Sequence, residues 1–146
     1  MSSRIDRPHV LANFKPSQSE KVRSKRAKKS AAELRPGMSS SHLDCIRQLP
    51  CCACMVIKRS EKRNEAHHLK FGTGERGMGM RSTDKNAVPL CRIHHNQVEN
   101  AGAKNEVAVF QSWGIGDALQ LASDLWRSTG DVRKMTLIIY AHKTIG

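Results

Sequence analysis

Three features of the 146-residue sequence predict a small α+β domain that carries a basic N-terminal tail. Two pairs of cysteine or histidine residues are spaced as metal ligands, and short strand-like segments lie between them. Amphipathic segments with helical spacing follow the second pair. The first 40 residues are strongly basic and have few apolar residues. We therefore expect a tail at residues 1–40, a domain at residues 41–131 and an extension at residues 132–146.

The tail differs from the rest of the chain in its charge. It contains ten basic and three acidic residues, so it supplies +7 of the net charge of +12. Its apolar residues are too few and too irregular to form a core, and we expect the tail to be disordered. Basic segments bind polyanions, and a DNA-binding tail is favoured over one that only increases solubility.

The five cysteines are an odd number and are interspersed with histidines, which favours metal binding over disulfide formation. The N-terminus reads as polar rather than as a signal peptide, and no apolar run approaches the ~20 residues of a membrane helix. We expect a cytoplasmic protein without a membrane partner, the alternative being that the basic tail is a nuclear address.

The first half of the domain is expected to contain one helix and two short strands. The helix is predicted at residues 42–49, where Ser39–Ser41 offer hydroxyl groups for its N-cap and a proline follows its end. Strands are expected at residues 55–57 and 66–71. Four glycines within residues 71–80 predict an irregular loop.

The second half is expected to be mainly helical. A helix is predicted after Leu90 and should end near Gly102. Glu106–Trp113 and Asp117–Arg127 have apolar residues at helical spacing, and the first residue of the latter segment is a suitable N-cap. Both tryptophans are predicted to be core residues. Leu137–Tyr140 is rich in residues that favour strands.

Four residues are predicted to hold a structural zinc ion. Zinc takes four nitrogen or sulfur ligands in a closed tetrahedral site. The chain offers two pairs of such residues, each with two residues between its members, and chance rarely places both pairs within ~45 residues. The predicted ligands are Cys51, Cys54, Cys91 and His94.

Two alternatives to this ligand set are open. Cys52 can replace Cys51 with a shorter spacing, although Cys51 is preferred. The cysteines can also be free thiols in a reduced interior. Cys45 falls on the predicted first helix and is interpreted as a small buried apolar residue.

Two adjacent histidines, His67 and His68, lie between the two ligand pairs. In a strand, consecutive side chains point to opposite faces. One histidine can therefore bind a metal ion while the other faces a water molecule or a phosphate. Alone, the dipeptide would indicate only two surface residues, but its position between the ligand pairs favours a catalytic site.

The residues around this dipeptide resemble those of the HNH nucleases of the ββα-metal fold. Glu65–Leu69 is similar to the first strand motif of that family, in which an acid precedes the histidine pair. Asn86 resembles the central asparagine, and His95 resembles the third motif residue. The resemblance implies that His67 and His95 bind a catalytic divalent ion. It also implies that His68 is the general base and that Asn86 orients it.

A closer resemblance is to a phage and prophage subgroup that includes the recombination-enhancement nucleases. It rests on Glu65–Leu69, Gly77–Arg81 and Pro89–His95, with a further likeness around Trp126. It covers about residues 45–131. It implies DNA as a partner, and a recombinase filament or another phage or host DNA-processing protein as a further one.

Glu99 departs from the subgroup, which usually has a histidine at that place. Glu99 lies one helical turn after His95 and shares its face. Because glutamate is a hard oxygen ligand, a site made of His67, His95 and Glu99 favours Mg²⁺ or another divalent ion such as Mn²⁺ over zinc. A weakened site is the other interpretation.

These observations predict a metal-dependent HNH endonuclease that hydrolyses phosphodiester bonds in DNA with little sequence specificity. Lys70, Arg76 and Arg81 are the expected phosphate contacts. The main alternative is a non-catalytic, zinc-stabilised DNA-binding protein, which would need neither His68 nor Asn86. A transcription regulator with a zinc ribbon is the weakest hypothesis, because neither a helix-turn-helix nor a paired-finger spacing is visible.

Overall fold

The computed structural model describes residues 36–59, 62–73 and 82–144. Most of the predicted tail lies outside these ranges, as do Arg76 and Arg81, so the predictions made for them stay predictions.

The described residues contain five α-helices and two antiparallel two-stranded sheets, which confirms the predicted α+β class. One sheet is a small hairpin and the other joins strands that are distant in sequence. In chain order the elements are α1 Ser40–Gln48, β1 Lys58–Arg59, β2 Lys62–Arg63, β3 Glu65–His68, a 3-10 turn Asp84–Asn86, β4 Ala87–Leu90, α2 Arg92–Ala101, α3 Glu106–Ser112, α4 Ala118–Arg127 and α5 Val132–His142.

The β3–β4 sheet lies at the centre of the domain. Its register pairs Glu65 with Leu90 and His68 with Ala87. All four residues of β4 are buried, and α1, α2 and α4 contact this strand. A strand buried in this way reads as a continuous apolar run rather than an alternating one. The sheet therefore fixes the positions of both histidines of β3, of which His67 is buried.

Side chains cap three of the helices, two of them at the places that the sequence indicated. Ser39 is the N-cap of α1, and its Oγ accepts a hydrogen bond from the backbone N–H of His42 at 3.2 Å. Asp117 caps α4 in the same manner, and Asp131 caps α5. Each cap satisfies one of the backbone donors that a helix start leaves unpaired.

The strand expected at residues 55–57 is wrong, because this segment closes a tight turn. Met55 has a backbone φ of 60°, and its N–H donates to the carbonyl of Cys51 at 2.7 Å. The N–H of Cys51 in turn donates to the carbonyl of Val56 at 2.9 Å. These bonds curl the chain around Cys51 and Cys54 instead of extending it.

The strand tendency of Leu137–Tyr140 does not decide its structure, since these residues lie within helix α5. Met135 and Ile139 are fully buried and lie four residues apart, whereas Leu137 is 69% exposed. A helix places residues four apart on one face, and burial of that face overrides the local preference of β-branched residues. The extension thus joins the core of the domain through α5, which packs on α4.

Both tryptophans are half-buried rather than fully buried. Trp113 packs against the core and stands edge-on to the His94 ring, with ring centroids 5.1 Å apart. Trp126 makes a similar edge contact with His42 at 4.8 Å. None of the helices in the described residues is long and apolar enough to cross a membrane.

Candidate functional site

Two clusters of potential metal ligands lie on either side of the β3–β4–α2 unit. The first, which we call the cysteine cluster, has ligand atoms that all lie within 4.8 Å of one another. Its members come from the turn after α1 and from the first residues of α2, where Cys91 is the N-cap. The cluster contains the four predicted residues Cys51, Cys54, Cys91 and His94.

The distances within the cysteine cluster suit a tetrahedral metal ion. Cys54 Sγ lies 3.9 Å from Cys91 Sγ, close to the ~3.8 Å between sulfurs in a tetrahedron with Zn–S bonds of about 2.3 Å. His94 Nδ1 lies 3.1 Å from Cys91 Sγ and 3.7 Å from Cys51 Sγ. Soft sulfur and nitrogen donors in this number could bind a metal ion such as zinc.

Burial makes a cation favourable at this cluster. Removal from water raises the pKa of the Cys51 thiol to about 11, although backbone hydrogen bonds from Cys54 and Cys91 oppose this effect. A metal ion stabilises the thiolate that burial disfavours, because thiolates and not thiols are the ligands.

Cys52 is not a member of the cysteine cluster. It is fully buried, its backbone N–H donates to the carbonyl of Pro89 at 3.1 Å, and burial raises the pKa of its thiol. The structure therefore groups Cys51 rather than Cys52 with the remaining ligands. Cys45 packs half-buried against the core, away from both clusters.

The second cluster, which we call the histidine cluster, joins β3 to α2. It consists of His67 and His95, which the HNH resemblance implied, and Glu99, which was predicted from its position one helical turn after His95. Glu99 Oε1 lies 3.4 Å from His67 Nδ1 and 3.8 Å from His95 Nε2. The His67 side chain is 1% exposed, whereas that of Glu99 is 43% exposed, so the cluster opens to solvent on the Glu99 side.

A buried carboxylate orients His67. Glu106, the first residue of α3, accepts a hydrogen bond from His67 Nε2 at 2.8 Å. This leaves the other ring nitrogen, Nδ1, as the one that faces Glu99 and His95. Among the described residues, His67 Nδ1 is buried and has no hydrogen-bond partner. An orphaned ring nitrogen beside two other donors is the arrangement that a metal ion would satisfy.

Glu106 also fixes the backbone that follows β3. Its second oxygen accepts hydrogen bonds from the N–H groups of Lys70 at 2.9 Å and Phe71 at 2.8 Å. Burial alone would raise the pKa of this carboxyl, but the bonds from His67 and from these two backbone groups hold the pKa below its ordinary value. Glu106 is therefore a buried, ionised group with a full set of donors.

His95 is oriented in a similar way by Glu65. His95 Nδ1 donates to Glu65 Oε2 at 2.5 Å, and Arg92 donates to the other oxygen at 2.9 Å. These bonds outweigh burial and lower the pKa of Glu65. The Nε2 atom of His95 is left on the side of Glu99. Both histidines of the cluster thus have one nitrogen bonded to a carboxylate and the other facing the cluster, as is usual for histidine ligands of metals.

His68 lies on the other side of the strand, and its partner is Asp84. His68 Nε2 donates to Asp84 Oδ1 at 2.8 Å, and the other oxygen of Asp84 accepts the backbone N–H of Ser39 at 2.9 Å. The His68 side chain is 21% exposed. The opposite orientation of the two adjacent histidines agrees with the alternation expected for a strand.

Asn86 lies in the same 3-10 turn as Asp84 and accepts the N–H of Leu69 through its backbone carbonyl at 3.0 Å. The resemblance implied that Asn86 orients His68, and in the structure the His68 ring donates a hydrogen bond to Asp84. Asn86 ties the end of β3 to the start of β4, and its predicted role toward His68 stays a prediction.

Lys70 contacts the histidine cluster itself. Its ammonium group donates to Glu99 Oε2 at 2.6 Å, and this bond lowers the pKa of Glu99. Its expected contact with a phosphate stays a prediction. Lys70 supplies a positive charge at the solvent-facing edge of the cluster, where Glu99 is exposed.

One family matches more than half of the chain. The family described as "Protein of unknown function (DUF968)" matches residues 27–114. The chain belongs to this family. The matched range includes every residue of both clusters, together with Glu65, Asp84 and Glu106.

A curated relative matches a shorter part of this DUF968 chain. The "Uncharacterized protein YdfU" of Escherichia coli (strain K12) is 36% identical over 53 residues, which is 36% of this chain and 14% of that protein. The chain thus spans only a small part of the relative's length. No solved structure gives a significant match.

Sequence reasoning missed the acidic partners of the three histidines. Glu106 and Asp84 are separated from their histidines by 39 and 16 residues. Glu106 looks in the sequence like an ordinary acidic residue in the first turn of a helix, where it would be stabilised by the helix dipole. The one available signal was Glu65, which the resemblance placed within the first strand motif.

Proposed function

We propose that this protein is a metal-dependent HNH endonuclease that hydrolyses phosphodiester bonds in DNA with little sequence specificity. The observation that carries the proposal is that the two adjacent histidines of β3 have different partners on opposite faces of the strand. His67 faces a three-residue ligand cluster, while His68, its neighbour, is held by a carboxylate on the other face. A purely structural protein needs neither the open cluster nor the half-exposed histidine beside it.

The order of elements around the cluster supports the same proposal. Two antiparallel strands, β3 and β4, are followed directly by helix α2. The first strand carries His67 and the helix carries His95 and Glu99. This is the element order that the ββα-metal resemblance implies, and it places the ligands where strand and helix meet.

The donor set of the histidine cluster fits Mg²⁺ or another divalent ion. Two imidazoles and one carboxylate would hold it, and Glu65 and Glu106 keep the two rings in the ligating orientation. Three protein ligands on a cluster open at Glu99 leave room for a substrate oxygen. A divalent ion bound there would stabilise the negative charge that develops on the scissile phosphate and on the leaving oxygen.

His68 is the proposed general base. Because its Nε2–H donates to Asp84, its Nδ1 can accept a proton from an attacking water molecule. Asp84 would then stabilise the charged ring by a short charge-assisted bond. General-base catalysis of this type contributes about 10²–10⁴-fold to a rate.

The charge of the chain supports DNA as the substrate. A net charge of +12 in 146 residues attracts a polyanion without selecting a sequence. The connection to phage or prophage recombination and a recombinase filament as partner are supported only by the resemblance of the sequence motifs, and a cytoplasmic location is supported by the cysteine usage and the polar N-terminal residues.

The test is cleavage of a supercoiled plasmid with Mg²⁺, Mn²⁺, Ni²⁺ or Zn²⁺ after the metal content of the cysteine cluster has been measured. We expect the wild type to cut and His68→Ala to cut at least ~100-fold more slowly. His142→Ala is a matched control, since His142 is also 21% exposed and also pairs with an aspartate, Asp124, at 2.8 Å. This control should cut like the wild type.

The outcomes separate the two leading hypotheses. Slow cleavage by His68→Ala with an unchanged metal content would assign the base. A folded, metal-loaded wild type that retains DNA on a gel but cuts with none of the four ions would refute the nuclease. That result would favour the non-catalytic DNA-binding alternative.

A further inference from the structure

An apolar cavity of about 180 Å³ lies beside the histidine cluster. Its walls come from the segment after β3, from α3 and from the start of α4. Most of the lining is aliphatic or aromatic, and Glu106 and Asp117 add two carboxylates. The apolar residues that form its walls and rim include Leu69, Phe71, Val107, Phe110 and Leu119.

The cavity and the histidine cluster share one side chain. Glu106 bonds to His67 Nε2 with one oxygen and to the N–H of Phe71 with the other, each at 2.8 Å. The Glu106 carboxylate therefore links the backbone of Phe71 to His67, a proposed metal ligand. The cavity is thus linked to the histidine cluster through Glu106 and the His67 ring.

The rim of the cavity presents an exposed aromatic ring. Phe71 is 48% exposed and Val107 is 39% exposed, so two apolar side chains of the cavity reach the solvent. The turn that carries Phe71 is constrained, because Gly72 has a φ of +73° and a Cβ atom there would approach Leu119 to 3.1 Å. The packed turn therefore holds the Phe71 ring in its exposed position.

Size and charge restrict the occupant. Pockets for drug-sized molecules have volumes of about 300–1,000 Å³, so this smaller cavity admits a single ring system. The Glu106 carboxylate in its wall already accepts hydrogen bonds from His67, Lys70 and Phe71 and offers a phosphate group no donor, which disfavours a phosphate there. A flat, neutral ring with N–H groups at its edge suits both the apolar walls and the Asp117 carboxylate. A nucleobase has these properties, and bases stack on exposed aromatic side chains.

We propose that this cavity binds an unpaired nucleobase of the DNA, with Phe71 as its stacking surface. Bases within a duplex are stacked on one another and cannot enter a side pocket without leaving the helix. The preferred substrate is therefore single-stranded or locally unpaired DNA. This inference rests on the proposed nuclease function, because it places the base beside the scissile phosphate.

The test measures binding without cleavage. In the His68→Ala background, oligonucleotides with the fluorescent base 2-aminopurine are titrated with protein, both as single strands and as full duplexes. We expect strong quenching and tighter binding for the single strand. Phe71→Ala should weaken single-strand binding about 5- to 100-fold and remove the quenching, whereas Phe71→Trp should retain both. Leu137→Ala, at an exposed apolar residue of α5, is the control that should change neither.

Either of two results would overturn the inference: equal quenching of duplex and single strand, or binding by Phe71→Ala equal to that of its parent. Loss of a protein dimer in Phe71→Ala with unchanged oligonucleotide binding would also overturn it, and would identify the cavity as a contact between two copies of the chain. Quenching that depends on Phe71 in a protein that cuts no DNA would refute only the nuclease and keep the base-binding site.

Discussion

The cysteine cluster and the histidine cluster both take ligands from helix α2, but they differ in their number of ligands and in their exposure to solvent. The cysteine cluster has four soft ligands, and Cys51 and Cys91 are both nearly inaccessible to water. The histidine cluster has three ligands, and one of them, Glu99, has a side chain that is 43% exposed. A closed set of four is typical of a structural metal site, and an open set of three is typical of a catalytic one.

The surroundings of the two clusters differ as well. Behind the histidine cluster, carboxylates hold the rings in place: Glu106 bonds to His67 and Glu65 bonds to His95. Behind the cysteine cluster lie the ring of Trp113 and the apolar core. A ligand packed in an apolar core stabilises the fold, whereas a ligand oriented by charge keeps a fixed geometry for chemistry at a solvent-facing site.

The largest effect is expected when the closed cluster is broken. Cys51→Ser should lose its metal ion and most of its cooperative folding, because structural zinc supplies about 10–16 kcal/mol and domains of this size have only about 5–15 kcal/mol of stability. Metal content and the far-UV circular dichroism of the protein measure the result. Cys45→Ser removes a half-buried thiol outside the cluster and should keep both metal and fold. A metal-free Cys51→Ser that still unfolds cooperatively would contradict the structural role of this cluster.

A smaller effect is expected at the open cluster. Glu106→Gln keeps the shape of the side chain but removes the charge that orients His67, so we expect Mn²⁺ to bind about 10- to 100-fold more weakly. Titration calorimetry with Mn²⁺ measures the affinity, and the metal in the cysteine cluster should be unaffected.

Asp124→Asn is the matched control for this change, because Asp124 bonds to His142 at 2.8 Å, far along the chain from either cluster. If Asp124→Asn weakened Mn²⁺ binding as much as Glu106→Gln does, the loss would reflect general destabilisation and not the orientation of His67.

The smallest effect concerns the stability of the folded protein at low pH, and it arises from His42, which is a member of neither cluster. His42 is fully buried, its Nδ1 bonds to Thr129 Oγ1 at 2.6 Å, and its Nε2 has no hydrogen-bond partner among the described residues. Burial lowers the pKa of His42 to about 4; nearby Asp84 opposes this shift and His68 adds to it. Below pH ~6.5 the unfolded chain therefore takes up a proton that the folded protein does not accept until about pH 4.

It follows that His42 should make the folded state less stable as the pH falls, by about 2 kcal/mol between pH 7 and pH 5. His42→Phe has no ring nitrogen to titrate, so its urea unfolding should depend less on pH over this range. The metal content is followed in the same samples to separate this effect from acid release of the metal. An unchanged pH dependence in His42→Phe would show that other groups cause the acid sensitivity.

Local patterns carried most of the successful predictions. The cysteine pairs and the caps of α1 and α4 depend on residues a few positions apart, so their spacing in the chain is enough to identify them. Local patterns failed where contacts between residues distant in the sequence decide the local structure. The helical state of Leu137–Tyr140 depends on the burial of Met135 and Ile139 against the core, and the turn at Met55 depends on bonds that close around the cysteine cluster.

The sequence by itself determined the α+β class and the four members of the cysteine cluster, and it predicted the members of the histidine cluster: His67 and His95 through a family resemblance and Glu99 through its position one helical turn after His95. Only the tertiary structure decided that Glu106 orients His67, that Asp84 bonds to His68, and that Phe71 borders a cavity beside them. The physical reason is that ligand pairs repeat at fixed spacings along one segment. A carboxylate partner or a cavity wall, by contrast, can come from a residue at any distance along the chain. Its position is decided only by how the folded chain packs and orients its side chains.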